Sequence, residues 1–392
     1  MTRQPRQRRA RGASAVGRRF TVDVGPIAHG GHCVARVEGR AVFVRHALPG
    51  ETVAIEVTEG TEGDRFWRAD AVQVLTPSPD RVAAPCQVAG PGGCGGCDFQ
   101  HVTLSRQRAL KAEVVREQLV RLGGLEATDP LLTGLLVQAV PDAPDDGLRW
   151  RTRVRFATTA EGGIGMRRHR SRAVVPVQDC LIAAEDALRE DQLVGHPEIV
   201  EQVTVNGSTR RFSRDADGFW QVHPGAPRVL VESVLELLAP TPGETVLDLY
   251  AGVGLFAGFL GARVGERGRV MAIEGSARAC AHAVRNLADL RAEVHSGPVG
   301  AVLDRLDCPP ADVVVLDPPR EGARAPVVAQ VASIAPRAVA YVACDPAALA
   351  RDVALFAGHG FRLRALRAFD LFPMTHHVEC VALLTKTGSD LR

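Results

Sequence analysis

The 392-residue sequence contains only two lysines, Lys111 and Lys386, so nearly all of its 47 basic side chains are arginines. It has no run approaching the ~20 apolar residues that a membrane-spanning helix needs. The first residues lack the apolar core of a secretory signal. We therefore expect a cytoplasmic protein without membrane spans. At this length, with 46% hydrophobic residues, two or three domains are predicted.

The arginines are clustered. Residues 1–20 hold seven arginines and no acid, and residues 149–172 hold eight arginines against Glu161 alone. Guanidinium groups match phosphates and stack on bases, so both clusters predict a polyanionic partner. A GC-rich coding bias would explain the choice of arginine over lysine, but it would not explain the clustering.

Nine cysteines in a cytoplasmic chain argue against a disulfide scaffold. Four stand alone in apolar or loop contexts and are interpreted as structural. These are Cys33, Cys280, Cys308 and Cys380. Three others, Cys86, Cys94 and Cys97, share a glycine-rich loop that cannot build a core of its own.

The pattern along the chain predicts four segments. Residues 1–18 are a basic disordered tail, and 19–78 contain five short alternating strands typical of an oligonucleotide-binding (OB-like) β-barrel. Residues 79–225 are a central β-rich domain that includes the cysteine loop and an amphipathic helix at 101–124, which we expect to pack on the C-terminal domain. Within it, residues 209–222 suggest a hairpin.

Residues 226–392 alternate apolar strands with helix-length segments and end in two strands joined by a turn at 370–376. This predicts a doubly wound, Rossmann-like α/β domain that closes with an antiparallel hairpin. The fold class is therefore α/β, with two smaller β-rich regions before the α/β domain.

The sequence Asp248-Leu-Tyr-Ala-Gly-Val-Gly254 joins the first strand of that domain to its first helix. Gly252 and Gly254 allow close backbone approach, and the helix N-terminus favours an anionic ligand group. The spacing also fits a dinucleotide fingerprint. The position of Asp248 before the loop and the absence of a hydride-transfer constellation favour S-adenosylmethionine (SAM). Glu274, which closes the second strand, would then accept the ribose hydroxyls; a surface acid in a turn is the alternative.

The fourth strand ends in Asp317-Pro-Pro-Arg320. Enzymes that methylate exocyclic amines commonly carry an aromatic residue where Arg320 stands. The arginine disfavours an amine substrate and suits a partner with phosphates or carbonyls. Asp317 could equally be an ordinary strand-end cap.

Cys344 follows an apolar strand, and Pro346 opens the next helix. The helix N-terminus should favour a thiolate there, although a small, inert buried cysteine is an equally good interpretation of these residues alone. Glu379 stands at the entrance of the last strand. A nucleophile and a base on neighbouring strands are typical of covalent catalysis.

Several motifs, in order and spacing, together resemble the RNA 5-methyluridine (uracil-C5) methyltransferases that act on tRNA and 23S rRNA. The resemblance runs from about residue 20 to 387, and its N-terminal barrel resembles a TRAM domain. The motifs are AHGG at 28–31, CGGCDFQH at 94–101, GFWQVHP at 218–224, DLYAGVG at 248–254, DPPREG at 317–322, YVACDPAALARD at 341–352 and HVECVALL at 377–384.

This resemblance implies that Cys344 adds to C6 of a uracil, that C5 then takes the methyl group from SAM, and that Glu379 removes the C5 proton. Saturating C6 is what makes C5 nucleophilic, and a base at C5 restores the ring. The positions that align with cofactor-binding residues of the family are Gln221, Tyr250, Gly252, Gly254, Glu274 and Asp317.

By the same resemblance, Cys86, Cys94, Cys97 and Cys180 align with the ligands of a 4Fe–4S cluster; from their spacing alone they could equally bind structural zinc. The loop departs from the family because seven residues separate Cys86 from Cys94, where five are usual. Leu255, His223 and residues 296–300 also lack asparagines that are common at cofactor contacts.

The resemblance implies an RNA partner, with rRNA favoured over tRNA because the barrel and cysteine loop occur with rRNA substrates. We also expect a monomer. A cytosine-C5 RNA methyltransferase usually shows a second catalytic cysteine and a different acid before the prolines. A non-catalytic RNA-binding iron–sulfur protein would not need Cys344 or Glu379, and both are present.

Overall fold

The computed structural model describes residues 12–306 and 310–388, which form two compact units. The first comprises the described part of Met1–Leu110 together with Ala157–Asp179 and Pro373–His376; the second comprises the described parts of Lys111–Phe156, Cys180–Phe372 and His377–Arg392. In these ranges no helix is long and apolar enough to cross a membrane. The four-segment domain division stays a prediction.

The first unit is built on a six-stranded sheet in the order β1-β5-β6-β4-β3-β2. Its strands are β1 Arg19–Asp23, β2 Ile27–Ala28, β3 His32–Val37, β4 Arg40–Arg45, β5 Thr52–Glu59 and β6 Phe66–Thr76. Buried and less buried residues alternate along β5, so one face of the strand packs on the core. The five predicted runs are confirmed as strands, and the first divides into β1 and β2. Gly25 lies between them because a Cβ there would come within 2.7 Å of the Val34 carbonyl oxygen.

Part of the predicted disordered tail is ordered. Residues 1–11 lie outside the described residues, but Ala15 is fully buried and donates its N–H to the Gly60 carbonyl. Gly17 donates to the Val57 carbonyl in the same way. The prediction for 12–18 was wrong because these residues extend the barrel's own hydrogen bonding.

The first unit also contains a three-stranded sheet, in which β10 Ile164–Arg167 pairs with β9 Ala157–Thr158 and with β11 Val174–Pro176. The second unit is built on an eight-stranded sheet in the order β17-β16-β15-β18-β19-β21-β20-β7. Its strands are β7 Val137–Ala139, β15 Thr245–Leu249, β16 Arg269–Glu274, β17 Ala292–Ser296, β18 Val313–Leu316, β19 Ala338–Ala343, β20 Phe361–Asp370 and β21 Glu379–Lys386.

Helices cover this sheet. They are α1 Leu104–Arg121, α2 Pro130–Thr133, α3 Ala226–Leu238, α4 Leu255–Val264, α5 Ala277–Asn286, α6 Val299–Arg305, α7 Arg324–Ile334 and α8 Pro346–Gly358. Every residue of β18 and β19 is buried, as expected for parallel strands with a layer on both faces. Only β21 runs antiparallel to its two neighbours. The predicted doubly wound α/β fold with a closing hairpin is confirmed.

Helix α1 is shorter than predicted, and Ala112, Val115 and Leu119 enter the same hydrophobic core as Leu249 and Tyr341. The sequence did not reveal β7, which pairs in parallel with the end of β20.

The predicted hairpin at 209–222 is displaced. The hairpin joins β13 Glu198–Val205 to β14 Ser208–Asp215, whereas residues 216–222 leave the sheet. Asn206 and Gly207 form its two-residue turn, both with positive φ (49° and 80°), the geometry that suits this pair of residues. The remaining short strands are β8 Arg151–Val154 and β12 Ala183–Arg189, with a 3₁₀ turn at Glu190–Gln192.

Candidate active site

The carboxyl ends of parallel strands meet at one edge of a sheet, and that edge carries most of the predicted site residues. Tyr250 follows β15, Glu274 ends β16, Asp317 follows β18 and Cys344 follows β19. Because β21 is antiparallel to β19, its first residue, Glu379, reaches the same edge.

Hydrogen bonds to two carboxylates, Asp248 and Glu274, hold the loop after β15 and the start of α4. Asp248 is buried, and its Oδ2 accepts the Ala257 N–H of α4 at 2.8 Å. Glu274 accepts the Gly252 N–H at 2.9 Å with one carboxylate oxygen, and the Ser276 N–H at 2.7 Å with the other. Gly252 and Gly254 have φ values of 56° and 93°, which glycine adopts without strain.

Two carboxyls of this edge, the buried Asp248 and the half-buried Asp317, have raised pKa values. Burial raises the pKa of Asp317 to about 7, and the nearby Glu274 carboxylate adds to the effect. Burial also raises the pKa of Asp248 to about 7, against the opposing hydrogen bond from Ala257. A cationic ligand such as a sulfonium would favour the ionised form of both groups.

Tyr250 has a left-handed backbone, with φ 66°, and its N–H donates to the Ile273 carbonyl. A non-glycine residue in this region carries strain, which is common at ligand sites. Gln221 instead lines a cavity of about 420 Å³ together with Thr152, Trp220 and Arg228. The cofactor roles of these residues stay predictions.

Cys344 and Glu379 lie side by side. Ala343 pairs with Cys380 in the ladder between β19 and β21, so the next residues outward, Cys344 and Glu379, are neighbours across the two strand ends. The Glu379 side chain is buried. Burial raises its pKa well above the usual range, Asp317 raises it further, and Arg320 opposes both.

The prediction that the α8 N-terminus favours a thiolate was wrong for the protein without RNA. Burial raises the pKa of Cys344 to about 12, and the Glu379 and Asp317 carboxyls add to this shift, whereas Arg320 opposes it. Asp345 caps α8 by accepting the Ala348 N–H at 2.8 Å, so the helix end already has an anionic partner.

Sequence reasoning missed His377 and the pair of Tyr341 and Asp352. His377 Nε2 lies 3.3 Å from an Arg320 guanidinium nitrogen. The buried Tyr341 hydroxyl donates to Asp352 at 2.5 Å, and Asp352 also accepts the Ala323 N–H at 2.7 Å. All of them fall inside or beside the quoted motifs, but their partners are distant in sequence.

The four candidate cluster ligands are divided between the two units. Cys86, Cys94 and Cys97 belong to the first and Cys180 to the second. Among residues 12–306 and 310–388, no three Cys, His, Asp or Glu side chains are grouped as metal ligands would be, so the geometry does not fit a preformed cluster site. The Gly96 N–H and the Gln100 amide do donate to the sulfurs of Cys94 and Cys97.

None of the described cysteines forms a disulfide. Cys33, Cys280 and Cys380 are buried, in keeping with a structural role, and Cys308 lies outside the described residues.

The arginine cluster at 149–172 has mixed roles. Arg149, Arg151 and Arg153 donate to backbone carbonyls of their own unit. Arg167, Arg168 and Arg172, around the turn between β10 and β11, are exposed. Only the second group resembles a surface for a polyanion.

Comparison with known proteins places this geometry in a family. Residues 13–72 match the TRAM domain, and residues 300–387 match the tRNA (Uracil-5-)-methyltransferase family. An uncharacterized RNA methyltransferase of Streptomyces avermitilis is 45% identical over 96% of this chain and 100% of its own. A 23S rRNA (uracil(1939)-C(5))-methyltransferase of a Shewanella species (strain ANA-3) is 30% identical, over 91% of this chain and 93% of its own. The chain belongs to the RNA uracil-C5 methyltransferase family.

A solved structure supports the same fold. The Pyrococcus abyssi tRNA (uracil-54, C5)-methyltransferase in complex with S-adenosyl-L-homocysteine has a TM-score of 0.66 at 21% identity, covering 93% of this chain and 100% of that one. The family resemblance, the TRAM barrel and the SAM-dependent methyltransferase fold predicted from the sequence are thus confirmed, and the enzyme is a SAM-dependent RNA uracil-C5 methyltransferase.

Proposed function

We propose that the enzyme forms 5-methyluridine in ribosomal RNA by covalent catalysis, with Cys344 as the nucleophile and Glu379 as the base. The observation that carries the proposal is the placement of both side chains at adjoining ends of β19 and β21, at the sheet edge that also holds the glycine loop and Asp317.

In this mechanism the Cys344 thiol passes its proton to solvent as its sulfur bonds to C6, and the electron pair moves to C5 and O4 of the uracil. The positive charge of Arg320, which lowers the pKa of Cys344, assists that step. C5 then attacks the methyl carbon, the sulfonium bond breaks and S-adenosylhomocysteine leaves. Glu379, once its own proton has passed to solvent, takes the C5 proton as a carboxylate, and the C6–S bond breaks to release the thiolate and 5-methyluridine.

The residues at the edge fit SAM. Asp248, Asp317 and Glu274 provide the negative charge that suits a cationic cofactor, and Glu274 is placed beside Gly252, where ribose hydroxyls would approach. Tyr250 and Gly254 belong to the same loop, and Gln221 completes the proposed set.

Transfer of labelled methyl groups from SAM to uridine-containing RNA tests the covalent role. We expect Cys344→Ala to reduce incorporation to background, whereas Cys33→Ala, which alters a buried cysteine of the barrel, should retain it. Equal incorporation by Cys344→Ala and wild type would refute the mechanism and leave RNA binding alone. Methylation of cytidine instead of uridine would support a cytosine-C5 enzyme.

Two observations favour rRNA as the substrate. A relative that covers nearly the whole chain is named for uracil 1939 of 23S rRNA, and Arg167, Arg168 and Arg172 offer an exposed basic turn for the phosphates of a large RNA. Mapping 5-methyluridine in rRNA and tRNA of a deletion strain distinguishes the two RNAs. Loss from tRNA alone would overturn the rRNA assignment.

We also propose that Cys86, Cys94, Cys97 and Cys180 hold a 4Fe–4S cluster, supported by the N–H donors aimed at two of the sulfurs. Among the described residues, no three of these side chains are grouped as metal ligands. Anaerobic purification followed by iron, sulfide and zinc analysis is the test; zinc without iron would support a zinc site instead.

A cytoplasmic monomer stays our expectation, and light scattering in solution tests the monomer.

A further inference from the structure

Glu379 reaches the active-site edge at the end of a connecting turn. Strand β20 ends at Asp370 and β21 begins at Glu379, which pairs with Phe369, so residues 371–378 form the connection that leads directly into Glu379. A connection of this length is usually among the more mobile parts of a fold. A general base must be held in place to act on one carbon atom.

Two polar residues of α1 hold this turn. Gln107 and Lys111 lie four residues apart, on the same side of the helix, and both side chains are almost completely buried. Lys111 Nζ donates to Asp370 Oδ1 at 2.5 Å and to the Phe372 carbonyl at 3.0 Å. The Gln107 amide oxygen accepts the Met374 N–H at 2.9 Å.

Gln107 is also locked at its other end. Its Nε2 donates to the carbonyls of Phe99 at 3.1 Å and Val102 at 2.9 Å, and it lies 3.3 Å from Met374 Sδ. The backbone N–H groups of Asp98 and Phe99 both donate to the Met374 carbonyl at 2.9 Å. Met374 is thus held at its N–H, its carbonyl and its side chain.

Just beyond Met374, the next part of the turn is held by hydrogen bonds between His376 and Asp98. His376 Nδ1 lies 2.6 Å from Asp98 Oδ2, and its backbone N–H donates to the same oxygen at 3.2 Å. Burial would raise the pKa of Asp98, but the hydrogen bond and charge of the His376 ring lower it below the usual range. From Asp370 to His376, every second residue therefore forms a hydrogen bond to a residue outside the turn. Glu379 follows three residues after His376.

Stability alone does not account for these groups. Taking a lysine and an aspartate out of water costs several kcal/mol, and apolar replacements for such buried pairs are often neutral or stabilising. Lys111 is moreover one of only two lysines in the chain. The polar contacts add directionality. Hydrogen bonds fix the backbone path of the turn, whereas apolar packing alone would allow several positions.

We propose that Gln107 and Lys111 are positioning residues that fix the 371–378 turn so that the Glu379 carboxyl meets the C5 proton of the methylated covalent intermediate. The proposal rests on the proposed roles of Cys344 and Glu379. It assigns α1 to one step of the reaction, the elimination that releases RNA, and leaves addition and methyl transfer to other residues.

The step has a specific signature. When elimination is slowed, RNA that already carries the new methyl group stays bonded to Cys344 and survives denaturing electrophoresis. With SAM labelled in the methyl group, the labelled protein–RNA adduct can be measured against released methylated RNA. General loss of stability would lower both quantities together.

Two variants test the proposal with full-length enzyme and transcribed RNA. Gln107→Met removes the bonds to Met374, and the double variant Lys111→Met/Asp370→Leu replaces the buried ion pair with apolar side chains, which should preserve folding. We expect elimination to slow by about 10- to 100-fold, the loss typical of a misplaced catalytic group. The labelled adduct should accumulate while the KM for SAM stays unchanged.

Glu379→Gln and Arg337→Met complete the design. Arg337 forms an ion pair with Glu244 at 2.6 Å at the opposite edge of the same sheet, so its loss should reduce stability without trapping adduct. If Glu379→Gln traps adduct but neither the Gln107 variant nor the Lys111/Asp370 variant does, the positioning role of Gln107 and Lys111 is refuted. It is also refuted if Arg337→Met traps as much adduct as those two variants. If Glu379→Gln itself traps none, the proposed role of Glu379 falls.

Discussion

The thiol of Cys344 and the carboxyl of Glu379 lie at adjoining ends of antiparallel strands, where burial and then the Glu379 carboxyl raise the pKa of the thiol. Burial thus favours the protonated form of both groups in the protein without RNA. A protonated thiol would protect the proposed nucleophile from oxidants and alkylating agents, since the thiolate is the reactive form. In the proposed mechanism, activation of this thiol depends on the uracil, whose C4 carbonyl takes up the electron pair as sulfur adds to C6.

Cys344 should be a poor target for alkylation in the free enzyme. With a pKa of about 12, its thiolate fraction at pH 8 is on the order of 1,000-fold smaller than that of an unfolded cysteine, and its reaction with iodoacetamide should be correspondingly slower. The rate should rise about tenfold per pH unit between pH 7 and 9.5, because the thiolate fraction does. Asp317→Asn should accelerate alkylation by removing a negative charge. Mass spectrometry of the Cys344 peptide measures the rate, and a plateau below pH 9 would contradict the raised pKa.

Asp317→Asn should also alter the pH dependence of stability. Because the pKa of Asp317 is raised from 3.8 to about 7 in the folded state, the native protein binds the proton more tightly than the unfolded chain. The free energy of unfolding therefore falls as pH rises from about 4 to 7 and is lowest above pH 7.

The Asp317→Asn variant lacks this loss, so at pH 8 its unfolding free energy should exceed that of wild type by an amount on the order of 2–4 kcal/mol. At pH 4 the two proteins should be similar. Urea denaturation at both pH values is the measurement. The exposed Asp145→Asn should behave as wild type, and a uniform offset at both pH values would exclude the titration of Asp317 as the cause.

Glu274→Gln should weaken cofactor binding. The Glu274 carboxylate accepts from the Gly252 and Ser276 N–H groups, and an amide NH₂ in place of one oxygen would face a backbone donor. Losing one charge-assisted hydrogen bond of about 1.5 kcal/mol corresponds to roughly tenfold in the Kd for S-adenosylhomocysteine. Calorimetric titration tests this, with Glu293→Gln on the neighbouring strand β17 as the control. Unchanged affinity in Glu274→Gln would remove Glu274 from the proposed site.

The sequence predicted those parts of the fold that depend on local pattern. The strands that carry the site are apolar runs, and the glycine loop and the prolines mark their ends. The sheet edge that carries the site could therefore be predicted from the sequence. The short strand β7 could not, because three residues without periodicity become a strand only by pairing with β20. For the β13–β14 hairpin, the signal at Asn206-Gly207 was present but overlooked.

The pKa shifts at the site could not be predicted from local sequence pattern. The helix start after Cys344 suggested a thiolate, yet the carboxyls of Asp317 and Glu379 approach from other strands, and Asp345 occupies the helix end. Gln107 and Lys111 likewise interrupt the apolar face of α1 for a reason that only their partners in the 371–378 turn reveal. Charges that converge from distant segments depend on the tertiary structure.

Tyr341→Phe, which removes a single oxygen atom, should lower both the free energy of unfolding and the rate of methyl transfer. The Tyr341 hydroxyl donates to Asp352 at 2.5 Å and lies 3.1 Å from the Ala323 nitrogen, fully buried beneath the start of α7. Its removal leaves a buried carboxylate oxygen without one donor, which costs about 1–3 kcal/mol in the free energy of unfolding. Burial and the Asp352 carboxylate also keep this phenol from ionising by raising its pKa.

Activity should fall beyond what this loss of stability explains. Asp352 accepts the N–H groups of Ala323 and Arg324, and so fixes the end of the loop that begins at Asp317. We therefore expect methyl transfer by Tyr341→Phe to fall several-fold at temperatures where the variant is fully folded. Thr385→Val removes another buried side-chain hydrogen bond, at the far end of β21, and should lose stability with near-normal turnover. Matching losses of activity in the two variants would show that Tyr341 acts through stability alone.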